Sequence, residues 1–474
     1  MSEITSISIR QIVRKRFLDI LQVMEASKET YILVTDAHSR RLLGEVIGDT
    51  EIYYGHIGEV VVIGQGEKND YSSYNALYLL TPSHESVVHL MEDFQNPQKL
   101  RYKSAVVYFI SDLDDEYYHN LLSSPAKKYI KSINEVYVDL FTPETRLFDL
   151  KLSQSFVRLY SNELEASLPK ELEVIAKKIA SACYTLKENP IIRYFKPDGE
   201  MNTSMISEKL AKAVEKELEH LSVKEKSYLQ NTTEPRASLI ILDRTLDMKA
   251  PLLHDITYQA MAYDMLDISD DRKYMYEITD NTNNVVEKKA TLDENDQLWV
   301  KYRHSYFADT SKDLVAELNK LTSKQLQNKP GMSPQAMIKQ LREAVFQLPD
   351  YQEFKEKLSC HLTMLTECKE LFQTYNYADL VPLEQILATG EDIEGNAAKH
   401  MLEDVIHLVR GLDNDDNRLR LLLLYLISKD GIREEHLQTI REQAGVLENS
   451  EDDLVLNNIK HMGVKVLKVM IHTL

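Results

Sequence analysis

The alternation of apolar and polar positions in the first 150 residues predicts strands and helices in turn. Helical patterns occur at 8–27, 84–94 and 114–131. The short apolar runs that predict buried strands are "YILVTD" (31–36), "EVVVIG" (59–64), "NALYLLTPS" (75–83), "SAVVYFISD" (104–112) and "NEVYVDLFTP" (134–143). Short buried strands that alternate with helices indicate a parallel sheet covered on both faces. Asp36, Ser83 and Asp112 end three of these strands, and the carboxyl edge of such a sheet commonly forms a binding crevice.

Beyond residue 150 the pattern is mostly helical. Two helical segments, 171–188 and 207–221, precede a short strand, "SLIILD" (238–243). A polar insert at 278–298 predicts a surface hairpin. Further helices are predicted at 309–327, 333–347, 350–375, 397–411 and 417–429. The predicted fold class is therefore α/β with a large, mostly helical domain.

Composition and charge exclude several classes of protein. The chain has 474 residues, 43 % of them hydrophobic, which indicates about three domains with real cores. The net charge of −19 argues against binding a nucleic-acid backbone or docking directly on an anionic membrane. The basic run Arg14–Arg16 is interpreted as the solvated face of a first helix. Three cysteines and the lack of an apolar leader predict a soluble protein of the reducing cytosol.

Fragments that imitate enzyme motifs lack the residues that the chemistry needs. In "VVVIGQGEKN" (60–69), Gly64 and Gly66 follow a strand, but Asn69 stands at the third glycine position of a dinucleotide fingerprint. A surface hairpin is predicted there instead. The chain has no G-K-[ST] sequence, so a phosphate-binding loop of the Walker type is excluded.

Metal-like patterns fail for similar reasons. His84 and His89 are five positions apart, which splays them by about 140° on a helix, so "HESVVH" reads as an ordinary helix start. "DNDDNR" (413–418) lacks the glycine and the final glutamate of a calcium loop and is interpreted as a helix cap. Cys360 and Cys368 are interpreted as packing residues. No metal and no cofactor are predicted.

The stretch "LIILDRTLDMKAPLLHDITYQAMAYDML" (239–266) holds the strongest cluster of charges after a strand. Asp243, Asp247 and the pair His254-Asp255 could form a catalytic or metal site. Arg244, however, lies between the two acids and would lower their pKa values rather than raise them toward neutrality. We therefore favour a structural interpretation, a strand-end cap and an ion-pair network that joins two domains.

This stretch also resembles the central signature of the SM family of syntaxin-binding proteins (the Sec-one/Munc-eighteen type). Collinear similarity extends through the chain, and the matched segments are most similar to the exocytic, plasma-membrane branch. The further segments that carry the resemblance are "NALYLLTPSHESV" (75–87), "YTLKENPIIRY" (184–194), "LDENDQLWVKYRHSYFADTSKDL" (292–314), "LPDYQEFKEKLSCHLTMLTEC" (348–368) and "RLRLLLLYLISKDGI" (418–432).

The resemblance implies an arch of three domains and a non-enzymatic function. The implied domains are 1–140 (α/β), 141–243 (the first segment of a second α/β domain) and 244–474 (mostly helical, with a helical hairpin at 328–362). The implied function is to bind a syntaxin-type SNARE and to control SNARE-complex assembly in vesicle docking and exocytosis. The protein would be cytoplasmic and would reach the plasma membrane or docking sites only through its SNARE partners.

The resemblance also implies binding residues. Asp36 and Arg41 fall where the family's first domain meets syntaxin, although Gly48 stands where a basic contact residue is expected. Tyr118, Ile130 and Glu135 fall where the family has a pocket for the N-terminal peptide of syntaxin, and an aromatic wall with a carboxylate would suit an apolar anchor beside a basic peptide residue. Plain helix-face packing is the alternative for Tyr118 and Ile130.

In the implied third domain, the hairpin has its hinge at Pro349, because proline lacks a donor and disfavours helix at the residue before it. Leu362 falls where the family contacts the vesicle-SNARE helix. After "NNIKHMGV" (457–464) the family pattern continues beyond the end of this chain, so we expect an incomplete second domain with an exposed sheet edge and apolar face. The alternatives are a truncated isoform with partial or altered syntaxin binding, and an α/β nucleotide-dependent enzyme.

Overall fold

The structure, a computed structural model, divides the chain into two compact units, Met1–Asp243 and Arg244–Leu474. Separate hydrophobic clusters form the cores of the two units. The predicted three-domain boundaries stay a prediction. The residues that the structure describes are 8–25, 29–53, 56–64, 70–161, 166–196, 205–226, 228, 235–279, 285–322, 352–398, 401–429 and 431–468.

A parallel sheet with the strand order β2-β1-β3-β4-β5 organises the described part of the first unit. Its strands are β1 (Tyr31–Thr35), β2 (Ile57–Val62), β3 (Asn75–Leu80), β4 (Ser104–Phe109) and β5 (Ile130–Glu135). Alternate side chains of β1 and β3 enter two different cores: Leu33 and Leu77 lie in one, Val34 and Tyr78 in the other. The sheet is therefore covered on both faces, as the continuous apolar runs predict.

Helices flank this sheet, and side chains cap the starts of two of them, α2 and α4. The helices are α1 (Ile9–Glu25), α2 (Ala37–Val46), α3 (Asp49–Ile52), α4 (His84–Glu92) and α5 (Asp115–Ser123). The Ser83 hydroxyl accepts the Ser86 N–H at 3.2 Å and so begins α4. His84 and His89 thus belong to an ordinary capped helix.

Two predicted boundaries around β5 are wrong. The helix predicted at 114–131 ends at Ser123, because Pro125 opens a short 3-10 turn and β5 begins soon after it. The strand predicted at 134–143 is divided in the structure into the end of β5, an irregular segment at 136–140 and the start of the next strand. Its Val138 and Leu140 are buried without strand pairing, and a buried irregular segment has the same apolar signature as a strand.

The strand β5 is followed by a small hairpin of β6 (Phe141–Glu144) and β7 (Leu147–Asp149). The hairpin predicted at 60–69 is also wrong, because β2 and β3 lie on opposite sides of β1. Residues 65–69 themselves lie outside the described part of the chain.

The basic run of α1 is only partly a solvated face, because Lys15 is exposed whereas Arg14 and Arg16 are half-buried. The arginine side chains of α1 bind other segments of the same unit, and burial lowers the pKa of the Arg16 guanidinium. Arg16 also lies 5.1 Å from the centre of the Tyr184 ring. The other contacts are Arg10 to Thr142 O (2.8 Å), Arg14 to Glu51 Oε1 (2.5 Å) and Arg16 to Val136 O (2.8 Å). These partner groups are far away in the sequence, so the contacts could not be predicted from the local pattern around the arginines.

The rest of the first unit contains α6 (Ser155–Tyr160), α7 (Leu168–Leu186), α8 (Ile206–Lys224) and a two-stranded parallel sheet. This sheet pairs β8 (Ile191–Tyr194) with β9 (Ser238–Ile241), and β9 is the only strand beside β8 among the described residues. Ile240 is 61 % exposed and Leu242 is 60 % exposed. A parallel sheet is normally buried on both faces, so these exposed apolar side chains are unusual. The predicted incomplete second domain stays a prediction.

The second unit is helical apart from one hairpin and isolated bridges. Strands β10 (Lys273–Thr279) and β11 (Val285–Thr291) are antiparallel, which confirms the predicted surface hairpin. Cys360 and Cys368 are buried in its core, and the Asn414 side chain caps the helix that begins at Asp415. The helix predicted at 333–347 lies outside the described residues. The described helices are α9 (Tyr258–Met265), α10 (Gln297–Tyr302), α11 (Phe307–Thr322), α12 (Gln352–Thr374), α13 (Tyr377–Thr389), α14 (Met401–Gly411), α15 (Asp415–Ser428), α16 (Glu434–Ala444) and α17 (Glu451–Asn458).

Candidate binding surfaces

Asp36 lies at the carboxyl end of β1, where the strand order reverses between β1 and β3. Its carboxylate accepts hydrogen bonds from the N–H of Ser39 (2.8 Å) and of Thr81 (2.5 Å). It also accepts the hydroxyls of Thr81 (3.0 Å) and Ser86 (3.2 Å). Asp36 therefore fixes the starts of α2 and α4 against the sheet, and its contact with a partner stays a prediction.

Arg41 lies on the exposed side of α2, near a compact polar group. Its guanidinium carbon is 5.4 Å from the centre of the Phe141 ring, and His38 packs edge-on against the same ring. His38 Nε2 lies 2.6 Å from Asp139 Oδ1, and Lys178 Nζ lies 2.5 Å from Asp139 Oδ2. Burial would raise the pKa of Asp139, but the hydrogen bonds and charges of His38 and Lys178 outweigh it and lower the pKa.

The three residues predicted to form a peptide pocket are not brought together at one point. Tyr118 is 42 % exposed on α5. Ile130 begins β5 and packs half-buried on the core, whereas Glu135 ends the same strand. At about 3.3 Å per residue the two ends of β5 are about 17 Å apart. A partner segment would have to run along the strand to reach both.

Glu135 is occupied by groups of its own unit. Its Oε1 accepts the Leu113 N–H at 2.9 Å and the Lys224 ammonium at 2.7 Å, and its Oε2 accepts the Tyr137 hydroxyl at 2.8 Å. Lys224 Nζ also lies 2.5 Å from Asp112 Oδ1. Burial would lower the pKa of Lys224, but the hydrogen bonds to both carboxylates raise it above its usual value. Sequence reasoning missed Lys224, and only its place in the last turn of a charged helix marks it.

Tyr137, next to this group, has an unusual backbone. Its φ of +50° lies in the left-handed region, which is rare for an aromatic residue. The Thr185 hydroxyl donates to its carbonyl at 2.5 Å, and its ring lies 4.5 Å from the Tyr184 ring. The strained turn is thus held by α7, which ties the end of β5 to the helices that follow.

The charges at 243–247 serve separate structural purposes. Asp243 is buried in the first unit, and its Oδ1 accepts the Tyr160 hydroxyl at 3.1 Å. In the second unit, Arg244 donates to the main-chain carbonyl of Asp247 at 2.6 Å. The hydrogen bond from the Ala250 N–H, with that from Lys249 and the charge of Arg244, lowers the pKa of Asp247. These bonds agree with the interpretation of a strand-end cap, and a lowered pKa does not suit a general acid. The predicted ion-pair network that joins two domains stays a prediction.

His254 is buried in a closed network. Its Nδ1 lies 2.7 Å from Glu384 Oε1, and its Nε2 lies 3.1 Å from Asn417 Oδ1. Glu384 also accepts the main-chain N–H of His254 at 2.9 Å, whereas Asp255 caps the next turn through the Thr257 N–H. His254 therefore joins the loop before α9 to α13 and α15, and its ring is not offered to a substrate.

Leu362, predicted to contact the vesicle SNARE, lies in α12 and is fully buried. Its neighbour His361 lies 2.7 Å from the Tyr258 hydroxyl and 3.1 Å from Asp296 Oδ2. Burial would raise the pKa of Asp296, but the bond and charge of His361 lower it. The hinge residue Pro349, and most of the 328–362 hairpin, lie outside the described residues.

No other arrangement among the described residues suggests chemistry at a bound group. They contain no cluster of histidine, cysteine and acidic side chains that could hold a metal ion. In the same part of the chain no helix combines the length and apolarity needed to cross a bilayer. An open groove of about 610 Å³ lies between β8 and α8, lined by residues such as Ile191, Leu218 and Arg236 and by none of the predicted binding residues.

The protein combines an α/β unit, whose parallel sheet is covered on both faces, with a mostly helical unit. The acids at its strand ends form hydrogen bonds within the chain. These features define the class, a mixed α/β and helical protein. A family model described as the Sec1 family matches residues 31–472. The chain belongs to the Sec1 family, which confirms the predicted resemblance.

Similar proteins support this assignment over nearly the whole chain. The protein transport protein sec1 of Dictyostelium discoideum is 29 % identical over 465 residues, which cover 97 % of this chain and 75 % of that protein. The protein of the same name from Schizosaccharomyces pombe is 26 % identical and is covered over 65 % of its length. The structure is also similar to Unc18 in the Unc18–syntaxin 1 complex from Monosiga brevicollis, with a TM-score of 0.83, 23 % identity and coverage of 99 % and 82 % of the two chains. The predicted fold class is thereby confirmed.

Proposed function

We propose that this protein binds a syntaxin-type SNARE and regulates SNARE-complex assembly in vesicle docking and exocytosis. The observation that carries the proposal is the similarity of the fold, over 99 % of the chain, to Unc18 from a complex with syntaxin 1. The two sec1-named transport proteins support a role in protein transport.

The described side chains suit recognition of another protein rather than bond-making. The candidate catalytic groups Asp243, Asp247 and His254 are engaged in structural hydrogen bonds. Arg41 is exposed on α2 beside Phe141, and a guanidinium can bind a carboxylate of a partner bidentately. The protein then has no enzymatic activity or cofactor and would reach membranes from the cytoplasm, through its SNARE partners.

A pulldown with the cytoplasmic region of a syntaxin, beside a nucleotide-binding screen, tests this function. We expect wild-type protein to retain syntaxin and to bind no nucleotide. Arg41→Ala should weaken retention, and Arg40→Ala is the matched control because Arg40 already pairs with Asp49 at 2.6 Å. Nucleotide binding without syntaxin binding would favour the α/β enzyme instead.

The third-domain hairpin provides a second test of the same function. We propose that Pro349 sets an equilibrium between bent and extended forms, and that Leu362 meets the vesicle SNARE only when its burial is relieved. Pro349→Ala should change syntaxin affinity or the rate of SNARE-complex assembly. If neither changes, the role of Pro349 is wrong.

Partial or altered syntaxin binding is the second candidate. The exposed apolar side chains of Ile191 on β8 and Ile240 on β9 favour it, because a parallel sheet is normally buried on both faces. In that case the protein would retain syntaxin in the pulldown but would not accelerate assembly of the SNARE complex in a fluorescence assay.

A further inference from the structure

The helix α17 of the second unit carries apolar side chains on its solvent-facing side. Leu454 is 52 % exposed and Val455 is 42 % exposed, whereas Leu447, in the turn before the helix, is 74 % exposed. The Ser450 N–H donates to the Leu447 carbonyl at 3.1 Å, so Leu447 lies one turn before the start of α17. Leu454 and Val455 follow Glu451 by three and four positions, which places the three on one side of the helix. We call Leu447, Leu454 and Val455 the apolar stripe.

The opposite side of α17 is fixed in the second unit. Leu456 is buried in the helical core. The Ser450 hydroxyl accepts the Asp453 N–H at 3.2 Å, and the Asp453 carboxylate accepts the Asn449 N–H at 2.9 Å and pairs with Arg441 of α16. The helix therefore has apolar residues on both sides, and its buried side holds the apolar stripe toward solvent.

The neighbouring helix α16 shows the usual surface pattern. All of its exposed residues are polar, namely Glu434, Glu435, Gln438, Thr439 and Glu442. A surface helix normally places its apolar residues in one stripe that faces the core. The exposed apolar stripe is thus a feature of α17 and not of helices in this unit generally, and contiguous exposed apolar side chains commonly mark a site of interaction.

The edge of the stripe is acidic. The segment "ENSEDDLVLNN" (448–458) contains four acids and no base. Three of them, Glu448, Glu451 and Asp452, form no ion pair or hydrogen bond through their side chains with the described part of the chain. We call these three the acidic rim. Apolar side chains beside unpaired acids are complementary to apolar side chains beside lysine or arginine.

We propose that the exposed side of α17 docks a basic amphipathic helix of a partner protein. The apolar side chains of that helix pack on the apolar stripe, and its lysine or arginine side chains pair with the acidic rim. The inference goes beyond the proposed function, because none of the residues predicted to contact a SNARE belongs to α17 or to the turn before it.

A helix suits this surface better than other occupants do. The backbone N–H and C=O groups inside α17 bond within the helix, so a partner strand finds no open edge, whereas side chains three and four positions apart form ridges that fit between those of another helix. A second copy of the chain would place one acidic rim against another. An anionic membrane would repel the same acids.

The test measures binding of two labelled synthetic peptides of about 18 residues, long enough to form a helix, to the full chain by fluorescence anisotropy. One peptide has leucines at helical spacing with lysines beside them. The other has the same composition in an order without that spacing, which controls for general attraction to a protein of net charge −19. We expect the amphipathic peptide to bind more tightly, and L454S/V455S to weaken its binding by about tenfold or more.

The acidic rim is tested with E451Q/D452N. This variant should weaken binding of the amphipathic peptide at low ionic strength, and its difference from wild type should shrink as salt screens the charges. The matched control for the stripe is F156S/V157S, which makes the same kind of change at two exposed apolar residues of α6. Because all four of these apolar side chains are exposed, thermal unfolding midpoints should stay close to that of wild type.

Several results would overturn the proposal. They are equal binding of the two peptides, no binding of either, or equal losses in L454S/V455S and F156S/V157S. Self-association, or binding to phosphatidylcholine vesicles, that L454S/V455S removes without affecting the peptide would assign the stripe to a second copy or to lipid instead. The syntaxin pulldown stays independent: L454S/V455S should retain syntaxin, and a wild-type protein that fails to retain it contradicts the proposed function alone.

Discussion

The Lys224 ammonium lies 2.7 Å from the Glu135 carboxylate and so joins the end of α8 to the end of β5 across 89 positions. Asp112, at 2.5 Å, completes the bridge. Both carboxylates are mostly buried, with side-chain exposures of 16 % for Asp112 and 14 % for Glu135. Glu135 is therefore part of the internal structure of the first unit as well as a predicted contact.

Lys224→Met should destabilise the first unit by about 1–2 kcal/mol, because two nearly buried carboxylates lose a charged donor. Denaturant unfolding followed by circular dichroism measures the change. Lys209→Met is the control, since Lys209 is exposed on the same helix. Equal midpoints for the two variants would mean that the bridge adds nothing to stability.

Asp36→Asn should destabilise the first unit by about 2–3 kcal/mol, because one amide cannot accept all of the bonds that the carboxylate receives from Ser39, Thr81 and Ser86. Asp49→Asn is the matched control: its side chain is 78 % exposed, and its pair with Arg40 contributes at most about 1 kcal/mol. Thermal unfolding of the two variants makes the comparison, and similar shifts would contradict the capping role of Asp36.

Asp139 should make the first unit sensitive to acid. Its pKa is lowered from the usual value of 3.8 for an aspartate, so its stabilising effect is present above that value and is lost as the pH falls through the lower folded pKa. Asp139→Asn should therefore reduce stability near neutral pH, and its deficit relative to wild type should shrink below about pH 4. Unfolding curves over a pH series, with Asp149→Asn as the control, measure this. A deficit that stays constant in acid would exclude the ionised carboxylate as its source.

Leu362→Ala should destabilise the second unit by about 2–5 kcal/mol, because it leaves a cavity in a closed core. Leu362→Met keeps the volume and should cost less than about 1.5 kcal/mol. Trp299, the single tryptophan of the chain, is buried in the same core and reports this unfolding by fluorescence. Vesicle-SNARE binding is compared between the two variants. Leu362 is a direct contact only if Leu362→Ala weakens this binding more than Leu362→Met does.

Ile240→Thr with Leu242→Thr should reduce self-association, because Ile240 on β9 and Leu242 just after it are exposed apolar side chains. Stability should change by no more than about 0.5 kcal/mol per site, as usual for surface positions. Light scattering at increasing protein concentration tests the effect. Val223→Thr, at a position 76 % exposed on α8, is the control, and an equal effect there would remove the special role of β9.

Much of the fold follows from local pattern. The strands β1 to β4 of the sheet, the start of α4 after Ser83 and the hairpin of β10 and β11 are encoded by apolar runs, a capping residue and a polar insert. The errors lie where a buried segment lacks regular pairing. Val138 and Leu140 are as apolar as strand residues, but the chain there follows the strained turn at Tyr137.

The internal bonding of the candidate residues could not be predicted from local pattern. Glu135 meets Lys224 across 89 positions, His254 meets Glu384 across 130, and each pair depends on how whole elements pack. The resemblance assigned Asp36 and Glu135 to a partner, but sequence alone could not reveal that both carboxylates also hold their own unit together.

The burial of Leu362 makes any use of that side chain conditional. If exposing it costs about 3 kcal/mol, as truncation of a buried leucine does, fewer than about one molecule in 100 presents it at a given moment. A vesicle protein that needs Leu362 for binding would therefore collide almost always with molecules in which this side chain is buried. A ligand that binds first and loosens the core around α12 would increase the fraction of molecules in which Leu362 is exposed. The order in which the partners bind would then decide whether a complex with both of them can form.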